Sequence, residues 1–258
     1  MDLSVIIPAY NEERRIGPTL DAYLPYLRER YGADCEVIVV VNNSTDRTED
    51  VVRDYATRFS FLQCMVEKGR IGKGGAIIRG FRRAEGARVG YVDADGSTPP
   101  EAFEQLVERV RRGQGDIAVA SRWCPGAQVT QRQPFRRRLT SRAFNLVTRV
   151  LFGLRLHDTQ CGAKVLTRAM LQRVLRHIGT TQWAFDVDLL FQVKRQSGRI
   201  LEVPSVWSDR EGSKIAVTEA SVEMLLALIR LRLVYSPFVG VVRFYDRYLR
   251  KVIPPSMP

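Results

Sequence analysis

Between residues 3 and 120 the chain alternates short β-branched runs with amphipathic stretches, and this alternation constrains the fold more than any other feature. Residues 3–8, 35–41, 61–66, 88–92 and 116–120 read as strands. The run at 35–41 (Cys-Glu-Val-Ile-Val-Val-Val) is almost continuously apolar, as a strand covered on both faces requires. Between these runs the pattern predicts helices over residues 12–30, from the capping side chains Ser44, Thr45 and Asp46 to residue 59, over 72–84 and over 99–111. Strand–helix units at this spacing predict an α/β fold with a mainly parallel central sheet flanked by helices. In such sheets ligands bind beyond the carboxyl ends of the strands, so the polar residues that follow each run carry the functional reading.

The second half is less regular. Residues 122–138 read as a polar loop rich in Arg and Gln, followed by a helix over 140–152. An irregular Asp158-Thr-Gln-Cys-Gly162 segment leads into a short strand, then helices over 168–176 and 185–196 and a strand over 200–207. Residues 215–252 predict two or three amphipathic helices interrupted at Pro237.

Charge is just as unevenly distributed. The 258 residues carry 40 Lys+Arg against 28 Asp+Glu, a net charge of +12. Residues 1–110 hold 15 basic and 18 acidic side chains, so the whole excess lies in residues 111–258, at net +15. A near-neutral half followed by a basic one predicts an anionic partner for the latter: nucleic acid, a phosphorylated substrate or an anionic membrane. The four cysteines (Cys35, Cys64, Cys124, Cys161) are scattered and only two histidines are present, so neither a disulfide framework nor a zinc site is expected. Free thiols of this kind fit a reducing cytosol, and the strand-like start predicts no signal peptide. The most apolar stretch, 222–242, is broken by Glu223, Arg230 and Arg232, which argues against a spanning helix.

Three constellations sit at predicted strand ends. Tyr91-Val-Asp93-Ala-Asp95-Gly-Ser-Thr-Pro99 places two carboxylates where a buried strand stops. Such a pair either caps a turn or binds a hard cation, Mg2+ or Mn2+, whose other positions go to water and substrate phosphates. Arg70-Ile-Gly72-Lys73-Gly74-Gly75 is either an exposed turn or a backbone cradle whose Lys73 meets a diphosphate. A P-loop fits poorly, because Gly74 stands where a metal-binding Ser or Thr is needed. Pro8-Ala9-Tyr10-Asn11-Glu12 ends the first strand, and Asn42 and Asp46 follow the second. Polar groups from successive strand ends thus converge on one edge, as a nucleotide-diphosphate site needs.

Pro8-Ala-Tyr-Asn-Glu12, Asn42-Asn-Ser-Thr-Asp46, Gly72-Lys-Gly-Gly75 and Asp93-Ala-Asp95 resemble, in order and spacing, family 2 glycosyltransferases with the GT-A nucleotide-sugar fold. The branch most similar is that of polyprenyl-phosphate (dolichyl-phosphate) glucosyl- and mannosyltransferases. Ser121-Arg122, Asp158-Thr-Gln-Cys-Gly162, Phe185-Asp-Val-Asp188 and Trp207 through Glu211-Gly-Ser-Lys214 extend the resemblance over residues 3–235. The Asp-Ala-Asp-Gly and Glu-Gly-Ser-Lys forms look closer to the glucosyl enzymes. Two departures stand out: Asn42-Asn43 replaces a common Asp-Asp after the second strand, and Asp188 replaces an expected Glu.

The resemblance implies a residue-by-residue assignment. Pro8, Ala9, Tyr10 and Glu12, with Asn42 and Asp46, would hold the base and ribose, and Lys73 the diphosphate. Ala94 would also line the nucleotide, Asp93 and Asp95 would bind the metal, and Ser97 would add an oxygen. Arg122, Arg210, Ser213 and Lys214 would surround the acceptor phosphate, with Asp158 near the donor sugar. Residues 1–214 would form the catalytic domain, 1–120 its nucleotide-sugar half and 121–214 its acceptor half. Residues 215–258 would be amphipathic helices lying on the cytoplasmic face of a membrane.

The implied chemistry is inverting displacement of a nucleoside diphosphate, from UDP-glucose or, next, GDP-mannose, by a polyprenyl phosphate. Asp95, Arg122 and Asp158 would be catalytic, the last as reserve base. A phosphate acceptor is already anionic near neutral pH and needs cations rather than a base, which a +15 half supplies. Three alternatives remain open at this point. A soluble family 2 enzyme acting on a hydroxyl would need a base. A nucleic-acid binder would have to use the Arg-rich loop at 132–142, which holds one aromatic, Phe135, and no reading motif. A sugar nucleotidyltransferase would carry an N-terminal glycine-rich loop that the sequence lacks.

Overall fold

A computed structural model describes residues 1–129, 135–179, 184–207 and 217–240. The first half runs β1 (Leu3–Ala9), α1 (Ile16–Tyr31), β2 (Cys35–Asn42), α2 (Thr48–Arg58), β3 (Leu62–Glu67), α3 (Gly72–Arg83), β4 (Arg88–Val92), α4 (Pro100–Arg111) and β5 (Ile117–Ser121). The second half continues with β6 (Gln128–Val129), α5 (Phe135–Phe152), β7 (Ala163–Thr167), α6 (Arg168–Leu175), α7 (Phe185–Arg195), β8 (Ile200–Pro204), β9 (Val206–Trp207) and α8 (Val217–Val234). Seven strands form one sheet in the order β3-β2-β1-β4-β7-β5-β8. All eight residues of β2 are buried, as its apolar run requires. Each fully buried Val or Ile there contributes about 1.5–3 kcal/mol of transfer free energy.

The order turns back between β1 and β4: from β1 the chain builds outward through β2 and β3, then returns to β1's other side. Crossover loops leave in opposite directions at that point, which opens a crevice at the carboxyl ends of β1 and β4.

The sheet is mainly parallel, as expected, with one reversed strand. β7 runs antiparallel to both neighbours, with Val92 opposite Ala163 and Ile117 opposite Leu166. The register sets Ala163, the first residue of β7, opposite Val92, the last of β4, so β7 starts at the edge where β4 ends. Residue 162 therefore lies beside Asp93, and Asp93 N donates to Gly162 O at 3.1 Å.

Several boundaries also move. α1 starts at Ile16 rather than residue 12, because Asn11 adopts φ 53° and Glu12 O accepts from Arg15 N and Ile16 N in a turn. The 122–138 loop contains β6, and α5 begins at Phe135. The strand expected over 200–207 splits after Pro204: Ser205 N still donates to Ser121 O at 3.0 Å, and β9 then pairs with β6. α8 packs on α5, and Leu228 and Leu231 join Phe144 and Phe152 in the core beneath the sheet.

Candidate functional site

The crevice at β1 and β4 holds the two carboxylates. Asp93 follows β4 directly, and Lys73 from the first turn of α3 meets its Oδ1 at 2.6 Å. The Lys73 side chain remains 43% exposed and that of Asp93 33%. Burial pushes the Asp93 carboxyl above the usual range, with Lys73 opposing that shift. Burial would lower Lys73, but Asp93, Asp186 and Asp95 outweigh it and hold the ammonium above its ordinary value. Asp95 Oδ1 accepts from Ser97 N at 2.9 Å, and Gly96 at φ 68° permits that turn. From α1, Thr19 Oγ1 donates to Ala94 O at 2.8 Å and Tyr23 Oη to Thr98 O at 2.9 Å, so a helix pins the whole 94–98 loop.

Among the described residues no group of three or more His, Cys, Asp or Glu gathers to hold a metal. Two carboxylates suit an ion that takes its other ligands from water and substrate phosphates, which is how Mg2+ binds with nucleotides. Gly162 makes the fit specific. A Cβ at that position would overlap Asp93 Oδ2 and Cγ and lie 3.0 Å from Oδ1, so the missing side chain is what leaves the carboxylate room.

Behind Asp93 lies a buried network that sequence reasoning missed. Asp186, in the first turn of α7, accepts from the Tyr91 hydroxyl and, at 2.5 Å, from Lys164 Nζ. Lys164 is fully buried in β7 and donates also to Cys161 O at 2.9 Å. Burial would raise the Asp186 carboxyl, but Lys164 and Lys73 outweigh it and keep it charged below its usual range. One signal existed: a lysine in the apolar run Ala163-Lys-Val-Leu166 must find a buried partner, though nothing local says which.

Beyond the ends of β1 and β2, the β1–α1 and β2–α2 loops are laced together. Asn11 N donates to Ser44 Oγ (3.1 Å), Thr45 N to Asn11 Oδ1 (2.9 Å), Glu12 N to Thr48 Oγ1 (2.8 Å) and Glu13 N to Asp46 Oδ2 (3.1 Å). Asp46 Oδ1 also accepts from Thr48 N at 3.0 Å just ahead of α2, whose N-cap residue is Arg47 and not one of the three capping side chains expected. Asn42 is buried and accepts from Ile71 N at 3.1 Å, tying β2 to the glycine loop. Glu12 takes a two-pronged bond from Arg15, at 2.6 Å for each prong. Ala9 is buried at the end of β1, Pro8 is half-buried, and Tyr10 stands 49% exposed as an open ring.

Strand β5 ends at Ser121-Arg122. Arg122 meets Asp158 in a fork, Nε to Oδ2 at 2.7 Å and Nη2 to Oδ1 at 3.1 Å, and stacks 5.4 Å from the Trp207 ring. Asp158 is fully buried and also accepts from Arg122 N and Gln160 N. Burial would raise its carboxyl, but Arg122 outweighs that and holds it below the usual range. A carboxylate so enclosed and so stabilised as the anion is a poor proton acceptor, which corrects its reading as a reserve base. Its geometry is that of an anchor for Arg122, whose guanidinium keeps three further N–H donors. Arg210, Ser213 and Lys214 lie outside the described residues.

Residues 4–175 match the family described as glycosyl transferase family 2. The chain is 34% identical over 250 residues to dolichyl-phosphate beta-glucosyltransferase of Mus musculus, covering 90% of this chain and 75% of that protein. It is 30% identical to the Saccharomyces cerevisiae protein of the same name, covering 93% and 76%. Glycosyltransferase AglD of Haloferax volcanii is 33% identical over 83% of this chain, which spans only 34% of that longer protein. Among solved structures, glucosyl-3-phosphoglycerate synthase of Mycobacterium tuberculosis with Mn2+, UDP-glucose and phosphoglyceric acid superposes with a TM-score of 0.69 at 21% identity, covering 90% of this chain and 79% of that one. At that identity the likeness shows the shared fold.

Proposed function

Because the chain belongs to glycosyltransferase family 2, we propose that it transfers glucose, with inversion, from UDP-glucose to a polyprenyl phosphate of dolichyl type. The observation that carries this reading is a pair of different devices for anions beyond the ends of β4 and β5. After β4 stand Asp93 and Asp95 with Lys73 beside Asp93, and after β5 stands Arg122, locked in place by Asp158. The names of the relatives support glucose and dolichyl phosphate, and the UDP-glucose held by the structural neighbour supports the donor.

Asp93 and Asp95 would hold Mg2+ or Mn2+, which when bound supplies positive charge to the leaving diphosphate. Lys73, beside Asp93, would stabilise the same phosphates as charge develops there. Tyr10 offers a face for the base, while Pro8, Ala9, Glu12, Asn42, Asp46 and Ala94 shape the pocket floor. Arg122, with Arg210, Ser213 and Lys214, receives the acceptor phosphate, whose oxygen attacks the anomeric carbon without proton removal. The direct test incubates the protein with Mn2+, polyprenyl phosphate and either UDP-glucose or GDP-mannose, then extracts with organic solvent. Labelled glucose in the organic phase is expected. Label there only from GDP-mannose would reassign the donor, and none from either would overturn the acceptor class.

We also infer peripheral attachment to the cytoplasmic face of a membrane. Among the described residues no helix is long and apolar enough to cross one. Among the described residues ten large hydrophobic side chains are exposed, and seven of them lie on α5 or on α8 and the turn after it: Leu146, Val150, Leu225, Leu226, Ile229, Val234 and Phe238. Residues 135–156 contain six arginines and no acid, and 224–240 two arginines and no acid. Apolar side chains among cations suit the anionic cytoplasmic leaflet, where each basic residue contributes about 1 kcal/mol. Deleting the chain from residue 222 would strip Leu228 and Leu231 from the core, so point changes are the sound probe. The double variant Val150→Glu, Leu226→Glu is expected to stop floating with phosphatidylserine vesicles while keeping its Tm. Undiminished flotation would remove this face from the membrane contact.

A further inference from the structure

The Asp158 turn is held from two sides by residues that no sequence motif marked. Glu202 on β8 accepts four bonds from it. His157 N reaches its two oxygens at 2.9 and 3.1 Å, Asp158 N donates at 2.9 Å, and His157 Nδ1 lies 2.8 Å away. Asn145 on α5 grips the same turn from the other side. Its Nδ2 donates to His157 O at 2.8 Å, and its Oδ1 accepts from Thr159 N at 3.2 Å and Thr159 Oγ1 at 3.0 Å. Asn145 is buried, and the Glu202 side chain is only 12% exposed. Between them the two side chains satisfy the backbone N–H of three consecutive residues, His157, Asp158 and Thr159, and the carbonyl of the first.

We propose that Glu202 and Asn145 are positioning residues for acceptor capture: they clamp the 157–159 turn so that Asp158 presents its carboxylate in the plane of the Arg122 guanidinium. The proposal rests on Arg122 receiving the acceptor phosphate. The physical argument is that a fork of two parallel bonds needs its carboxylate fixed in both position and rotation. Asp158 cannot fix itself, because it sits in a segment without helix or ladder bonds of its own. A turn of that kind keeps one geometry only when side chains from packed elements occupy its backbone groups. The clamp spans α5 and β8, so it also ties the helix bearing Leu146 and Val150 to the edge strand of the sheet.

The test uses the full chain with three variants, Glu202→Ala, Glu202→Gln and Asn145→Ala, and reads two independent quantities. The first is KM for polyprenyl phosphate against KM for UDP-glucose. Glu202→Ala and Asn145→Ala are expected to raise the acceptor KM about tenfold, the effect of one lost hydrogen bond to a charged group, and leave the donor KM within about twofold. Glu202→Gln keeps an oxygen for the backbone N–H groups and should recover part of the loss. The second is hydrogen exchange at Arg122 Nε–H by NMR, expected to quicken in the same order, which mere loss of stability without movement of Arg122 would not produce. Unchanged exchange and acceptor KM in Asn145→Ala and Glu202→Gln, the variants least prone to misfold, would overturn the clamp. Faster exchange with an unchanged acceptor KM would uphold the clamp and overturn instead the assignment of Arg122 to the acceptor.

Discussion

Asp93→Ala is expected to lower kcat about a thousandfold while shifting Tm by no more than about 4 °C. The stability term is small because the Asp93–Lys73 pair lies at a partly open crevice, where Lys73 is 43% exposed and can be solvated when its partner is removed. Pairs of that kind contribute about 0–1 kcal/mol, and in a chain of this size 1 kcal/mol moves Tm by about 2–4 °C. The catalytic term is large because Asp93 would hold the ion that neutralises the leaving diphosphate, a contribution of several kcal/mol at about tenfold per 1.4 kcal/mol. Asp95 cannot take over, since one of its oxygens is committed to Ser97 N in the turn that shapes the loop. The measurement is turnover across a Mn2+ titration with EDTA as the zero point. Full transfer by Asp93→Ala in EDTA would sink the metal-assisted scheme altogether.

Gly162→Ala is expected to cost about a hundredfold in turnover, although no chemistry is removed. The Cβ would overlap Asp93 Oδ2 and Cγ, and the backbone cannot retreat, because Asp93 N bonds Gly162 O within the antiparallel β4–β7 register. The carboxylate must rotate off its position, and a displacement of about 1 Å at a reacting site is enough for a loss of that order. Gly17→Ala serves as the control, since its Cβ would make ordinary contact at 3.6 Å with the Tyr55 hydroxyl inside α1. It is expected to keep full activity and to gain about 0.5–1 kcal/mol of stability from reduced chain entropy. Equal activity of Gly162→Ala and Gly17→Ala would show that Asp93 can work from another rotamer.

The two variants probe parts of the site that were unequally legible. Tyr10 and Asp93 could be placed from the sequence, because each directly follows an apolar run that forms a buried strand, with Asp95 two residues on. Lys73, by contrast, comes after β3, of which only Leu62 is buried. Glu12, Asn42 and Asp46 were legible in place but less so in task. In the fold their side chains hold Arg15, the glycine loop and the neighbouring loop, with bonds spanning 29 positions from Asn42 and 33 from Asp46 beside the local Glu12–Arg15 and Asp46–Thr48 pairs. Asp158 reads from the sequence as a residue near the donor sugar with a reserve role as base. Only the Arg122 fork, across 36 residues, distinguishes an anchor from a base.

What the sequence by itself determined is the local part: alternation of strand and helix, the apolar run of β2, and polar residues waiting where strands stop. Hydrophobic periodicity and turn chemistry act over a few residues and can be read in place. The tertiary structure alone decided that β7 enters the sheet in reverse. That reversal sets Gly162 against Asp93, and Lys164 of the same strand meets Asp186 across 22 residues. It also decided that Glu202 and Asn145 meet at one turn. Such pairings depend on strand order and register between distant segments, and neither leaves a periodic trace in the residues that make them.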